Sequence, residues 1–410
     1  MLIKSVTIVD TASVHNNTVC DVLLEAGKIK AIANHIPFDG ETIDGNNLYL
    51  STGWFDMKVN FCDPGMEQKE DLVSGCNAAQ AGGFTDVALM PATTPVVQSK
   101  AQVDYVLSKT RHHAVNVHPV GALTVNSEGS ELTEMFDMKQ AGAVAFCDDK
   151  KTIANTGVMQ RAMLYAKNIG STLLSFAEDK YLAGNNMVNE SAETTMLGFK
   201  GIPAVAEEII VMRDILLCSY TQTPIHISGI STAGSVQLIA DARKKGLPIT
   251  CDVAVYNLHN TDAALQTFDT NFKVKPPLRN NHDVEALCNG LVNGVIDVIV
   301  SDHNPQDIET KKVEFDYASY GMIGCESFFG IAYKCLHNKM SLDKIVETFT
   351  VNPRKILKLP NNKIAVNETA RLTLFGLQDY VFTNSHIFSK SANTPYTGTT
   401  LKGKAMRIIT

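Results

Sequence analysis

Several features that would announce a specialised protein are scarce in this chain of 410 residues. It has one tryptophan, 7% aromatic residues and no apolar run approaching the ~18 residues of a membrane helix, so a spanning helix is not expected. Charge is also sparse: 19% of residues are charged, and the formal net charge of −7 is spread along the chain without a basic stretch. Nucleic acid and anionic lipid are therefore poor partners, and a small molecule or another protein is the better expectation. Nine cysteines, at 20, 62, 76, 147, 218, 251, 288, 325 and 335, contain no Cys-x-x-Cys pair. That argues against zinc-finger and redox motifs and suits reduced, buried thiols. The N-terminus MLIKSVTIVDTASV reads as a short alternating strand rather than a signal peptide, so a cytoplasmic location is expected. No internal repeat or low-complexity segment is present.

What the chain does have is alternation. From about residue 51 to 350, β-rich runs (WFDMKVNF, FTDVALM, VNVHPVG, AVAFC, STLLSFA, PIHISGI, PITCDVAVY and VIDVIVSD) alternate with amphipathic helical patterns such as KEDLVSGCNAAQAG and AVAEEIIVMRDILLCS. Several of the helical runs end in glycine directly before the next strand, at Gly82 and Gly83, Gly142, Gly170, Gly246 and Gly294. Eight β-then-α units in under 300 residues specify an α/β protein built as a parallel (β/α)8 barrel. Residues 1–50 and 351–410 read instead as short strands and turns, and are expected to form one small β-domain from both termini.

In such a barrel the chemistry sits at the C-terminal ends of the strands. On the first strand, period-2 geometry turns Asp56, Lys58 and Asn60 to one face, toward the barrel mouth. The stretch FDMKVNFCDPGMEQKEDLVSGCNAAQAGGFTDVALMPATTPV resembles the opening of bacterial dihydroorotases of the type that associates with aspartate carbamoyltransferase, in the amidohydrolase superfamily. The resemblance continues in order through GAVAFCDDK, SFAED, HISGISTAGSV, FKVKPPLR, VIVSDHNP, FDYASYGMIGCES and SKSANTPYTGTTLKGK. It implies a zinc-dependent cyclic amide hydrolase of pyrimidine biosynthesis.

Carried over residue by residue, the resemblance assigns the slots for two zinc ions to Lys58, Asn60, Asp149, Phe176, Gly229 and Asp302. Only the two aspartates are ligand types that zinc takes. An ammonium repels the cation, an amide binds it poorly, and Phe and Gly offer no side-chain donor. The substrate slots are altered too: a carboxylate-binding arginine is Cys62, asparagines are Ala92 and Lys275, a terminal histidine is Gln306, and a histidine pair is Tyr256 and Asn257. Cys62 removes a bidentate grip on a substrate carboxylate. Zinc lowers the pKa of bound water from about 15.7 to about 7, worth on the order of 12 kcal/mol in hydroxide availability. Asp302, the general base by resemblance, is left without an activated water and is expected to be idle.

Two roles are open for Lys58: a desolvated catalytic amine, or an ammonium standing in for lost metal charge beside Asp149 and Asp302. Phe176 reads as filler for vacated space, and Cys62 as a thiol without an evident histidine partner. His226 and His303 lie near former ligand slots, but strand alternation turns His303 away from Asp302, and both read as structural. The functional expectation is a non-catalytic dihydroorotase homologue without a metal cofactor, acting as scaffold or regulatory partner. Self-association and aspartate carbamoyltransferase are the expected contacts. The alternatives are an active or residual dihydroorotase, or a metal-independent hydrolase using Lys58, Asp302 and Cys62.

Overall fold

The barrel begins at Trp54–Val59, a strand buried on both faces because one side meets the barrel interior and the other the surrounding helices. A computed structural model describes residues 1–410, and in it seven further strands follow: Phe84–Leu89, Asn116–Ala122, Ala145–Cys147, Thr172–Phe176, Ile225–Ser228, Ile249–Ala254 and Val298–Val300. They pair in chain order, every neighbour parallel. The eighth meets the first through a single parallel bridge, Val59 to His303, where the Asn60 N–H donates to the His303 carbonyl at 2.8 Å. The expected (β/α)8 barrel is present, with each sequence-derived strand in its place.

Helix boundaries follow from local chemistry. Helix Leu72–Gly82 starts at Asp71, whose side chain accepts from the N–H groups of Val73 and Ser74, while the Ser74 hydroxyl returns to the Asp71 N–H. It stops at Gly83, at φ +94°, where the chain turns into the second strand. A Cβ here would sit 2.5 Å from Ala405 Cβ and 2.9 Å from the Trp54 ring, so glycine is needed for close approach as well as for conformation.

The termini share one antiparallel-rich sheet. Strands Leu2–Ile8, Val19–Glu25, Lys28–Ala33, Thr42–Asp44 and Leu48–Thr52 are joined by Leu372–Val381 and Thr400–Ile409. This sheet has its own apolar core, including Ile3, Val22, Leu50 and Leu374. The C-terminal share of the sheet starts at Leu372, later than the expected 351. Helix Val351–Ile356 packs with the barrel instead, where buried Arg354 donates to the Gly53 carbonyl at 2.9 Å and to Asp86 at 2.8 Å. A 20-odd-residue excursion after the fifth barrel strand carries a short parallel pair, Val188–Asn189 with Gly201–Ile202. Arg279 ties it down, donating to Asn189 Oδ1 at 2.9 Å and to the Ile202 carbonyl at 3.1 Å. No helix is long and apolar enough to cross a membrane.

Candidate functional site

The strand ends bring the expected slots together at the barrel mouth. Lys58, from the first strand, and Asp302, just past the eighth, are both buried, and Lys58 Nζ lies 3.8 Å from Asp302 Oδ1. The expected convergence of these two side chains is therefore present. Burial works against the Lys58 ammonium, yet the charges of Asp302, Asp149 and Asp252 outweigh it and hold its pKa above the ordinary lysine value. It is an ammonium at neutral pH and has no free lone pair for nucleophilic attack.

A second cation, Lys150, completes the arrangement. Its Nζ donates to Asp302 Oδ2 at 2.6 Å, and the Tyr256 hydroxyl donates to the same oxygen. Asp302 is thus held between two ammonium groups and a phenol, with Oδ2 taken by Lys150 and Tyr256 and Oδ1 facing Lys58. Sequence reasoning missed Lys150, although it directly follows Asp149 at the end of a barrel strand. It also placed Tyr256 in a lost histidine slot without finding its new bond.

The remaining slots close around this pair. Asn60 Nδ2 donates to Asp149 Oδ2 at 3.5 Å, and burial raises the Asp149 pKa although Lys58 and Lys150 oppose the rise. The Phe176 ring packs in the vacated space, with Lys58 Nζ 5.6 Å and Lys275 Nζ 5.7 Å from its centroid. Lys275 is paired to Glu178 at 2.6 Å. A Cβ on Gly229 would lie 3.5 Å from Lys58 Nζ, so the ammonium occupies the space that a ligand side chain from 229 would enter. The Gly229 N–H donates to Asp252 Oδ1 at 2.7 Å.

The substrate slots are equally committed. Gln306 accepts from Lys69 Nζ at 2.9 Å and donates to Asn304 at 3.0 Å. Ala92 is half-buried and offers only a methyl group. Asn257 donates to the Pro277 carbonyl at 3.1 Å. Cys62 is buried, and burial pushes its thiol up to about 12, so a thiolate nucleophile is not available at neutral pH.

The two neighbouring histidines have structural partners. His226 sits between Thr250 Oγ1 at 2.8 Å and Asp252 Oδ2 at 2.9 Å. His303 faces the other way from Asp302: its Nδ1 accepts from the Gly324 N–H at 3.2 Å, and its Nε2 lies 3.6 Å from Glu70.

Zinc does not fit this donor set. Asp149 Oδ1 and Asp302 Oδ1 are buried without hydrogen-bond partners, but an ammonium stands beside the second of them. No group of three or more His, Cys, Asp or Glu side chains is placed to hold a metal ion. Zinc sites take three or four such ligands.

A parallel barrel with strand-end carboxylates at its mouth, flanked by a sheet built from both termini, is an amidohydrolase-type architecture. The L-hydantoinase (dihydropyrimidinase) from Arthrobacter aurescens superposes with a TM-score of 0.86 at 22% identity, over 100% of this chain and 94% of that one. A Dihydro-orotase-like family model matches residues 48–235. The dihydroorotase of Geotalea daltonii is 40% identical over 99% of this chain and 96% of its own length, and that of Pelotomaculum thermopropionicum 41% identical over 98% and 95%. The chain belongs to the dihydroorotase family.

Proposed function

We propose that this chain is a non-catalytic member of the dihydroorotase family that serves pyrimidine biosynthesis as a scaffold or regulatory partner in the cytoplasm. The observation that carries this reading is the Lys58–Asp302–Lys150 group: ammonium charges stand against the carboxylate that a metal ion would otherwise neutralise. Hydrolysis of a cyclic amide needs an activated water, and Asp302 already accepts from Lys150 and Tyr256. Lys58 as a base is opposed by its raised pKa, and Cys62 as a nucleophile by its raised pKa and burial. A metal-independent hydrolase built on these residues is thereby disfavoured. The partner proposed is aspartate carbamoyltransferase, on the likeness to dihydroorotases that associate with it.

The test has two arms. Protein purified from zinc-supplemented culture is analysed for metal, and its mixture with aspartate carbamoyltransferase from the same source is examined by sedimentation velocity. Substoichiometric zinc with a co-sedimenting complex supports the proposal. Near-stoichiometric zinc contradicts the non-catalytic reading, and independent sedimentation contradicts the partner.

A further inference from the structure

A cavity of about 490 Å³ lies at the floor of the barrel, where the fifth to eighth strands begin and helix Val351–Ile356 closes one side. That volume falls in the range of small-molecule sites, about 300–1,000 Å³. Its wall is largely apolar: Ile225 and Ile249 are buried at the strand starts, each directly preceded by a proline, and Leu247 and Ile356 flank them. The charges around this wall are unbalanced. Asp297, the one carboxylate, is taken by Arg243 and by the Cys251 N–H at 2.9 Å. Lys355 and Lys358, three residues apart on the closing side, form no ion pair, and Lys358 reaches only the Gly170 carbonyl at 3.2 Å. Inside, Ser171 is nine-tenths buried and its hydroxyl has no partner in the protein. Exposed lysines alone are ordinary surface, but a buried hydroxyl without a partner calls for one.

We infer that this floor cavity binds a phosphate monoester with a flat apolar body, a compound of the nucleoside monophosphate kind. Two ammonium groups one helical turn apart, with no acid beside them, suit a phosphate dianion, which lysine meets as a point charge. The apolar wall needs a body to cover it, so free phosphate or a sugar phosphate would leave Ile225, Leu247, Ile249 and Ile356 unused. The Ser171 hydroxyl can donate to a ring carbonyl or ring nitrogen, or accept from a ring N–H, so it suits a body with a polar edge. His226 also lines the cavity, but Thr250 and Asp252 already engage both its nitrogens, so it offers the ligand a surface and no hydrogen bond. Thr172, Ile225 and Ile249 begin their strands, whereas Phe176 ends one and Asp302 follows another. The cavity therefore lies at the opposite end of the barrel from the mouth. The inference holds whether or not that mouth is catalytic.

Titration calorimetry of the full chain at low ionic strength tests it, with uridine 5′-monophosphate and adenosine 5′-monophosphate as probes and their nucleosides and inorganic phosphate as the separate halves. Saturable binding of at least one monophosphate is expected, one per chain, with each half weaker by about tenfold or more. The double variant Lys355→Ala with Lys358→Ala, which changes only exposed side chains, is expected to weaken binding by about tenfold or more. Leu247→Trp, which fills the cavity, is expected to abolish it, with circular dichroism confirming that both variants remain folded. No saturable binding of either monophosphate, inorganic phosphate bound as tightly as the monophosphate, or binding indifferent to the lysine pair in the folded variant would each overturn the inference.

Discussion

Replacing Lys58 by methionine removes an ammonium that lies 3.8 Å from Asp302 Oδ1, inside a site where both side chains are buried. At that separation and an effective dielectric of about 20, the Coulomb term is about 4 kcal/mol. Asp302 keeps Lys150 at 2.6 Å, so the remaining carboxylate is not wholly abandoned, while Asp149 keeps only Asn60 as a hydrogen-bond partner. A loss of about 3 kcal/mol in unfolding free energy is expected, the low end of the range for breaking a buried pair. The loss depends on pH with a definite sign. Without Lys58, the Asp149 pKa, already raised by burial, rises further above its unfolded value. The stability attached to a raised carboxyl is fully present below the unfolded pKa and is lost as pH rises through the folded one. The variant should therefore lose most on the alkaline side of the raised Asp149 pKa and recover as pH falls toward the unfolded value of 3.8. Urea unfolding followed by the fluorescence of Trp54, the sole and fully buried tryptophan, measures both effects. A loss below about 0.5 kcal/mol, within the scatter of ordinary surface substitutions, or one independent of pH, would refute the reasoning.

Arg354→Met should cost about 3 kcal/mol, since Asp86 loses its 2.8 Å guanidinium partner and keeps His118 and Arg371 as basic neighbours, with Thr85 and Asn116 as neutral donors. Burial acts to raise the Asp86 carboxyl, but His118, Arg354 and Arg371 hold it well below its ordinary value, so its contribution is present above about pH 3.8 and lost as pH falls through the folded value. Acid unfolding of this variant should accordingly begin at higher pH than in the wild type, and an unchanged acid midpoint would count against the pairing. Eight of the nine cysteines are buried and Cys335 is half-buried, so a thiol reagent should find at most one reactive group in native protein and nine after denaturation. Fast labelling of Cys62 would contradict its burial. Histidine at 58, 60, 176 and 229 together should create zinc affinity measurable by calorimetry. The Cβ at 229 finds ordinary contacts once Lys58 is gone, and its φ of +76° costs about 1 kcal/mol. No zinc binding in a folded variant would mean that the slots were assigned wrongly.

How much of this was legible in the sequence differs between strands and site. The eight barrel strands stood out because each is a short β-branched or apolar run between helical patterns, and glycine turns such as Gly83 mark where helices end. Lys58 and Asp302 could be paired because both lie at strand ends, where a parallel barrel gathers its side chains. Lys150 was not legible: in AFCDDK it reads as a solvated loop lysine, and only the fold carries its Nζ to a carboxylate 152 residues away. Arg354 was assigned to the terminal domain because nothing local announces Asp86, 268 residues distant.

The most direct measurement of the central claim is dihydroorotate turnover by the unmodified chain with added zinc, beside its Asp302→Ala variant and beside an active family member as reference. The non-catalytic account expects both forms of this chain to stay at background while the reference turns over. Zinc-dependent turnover by the unmodified chain, abolished by Asp302→Ala, would contradict it.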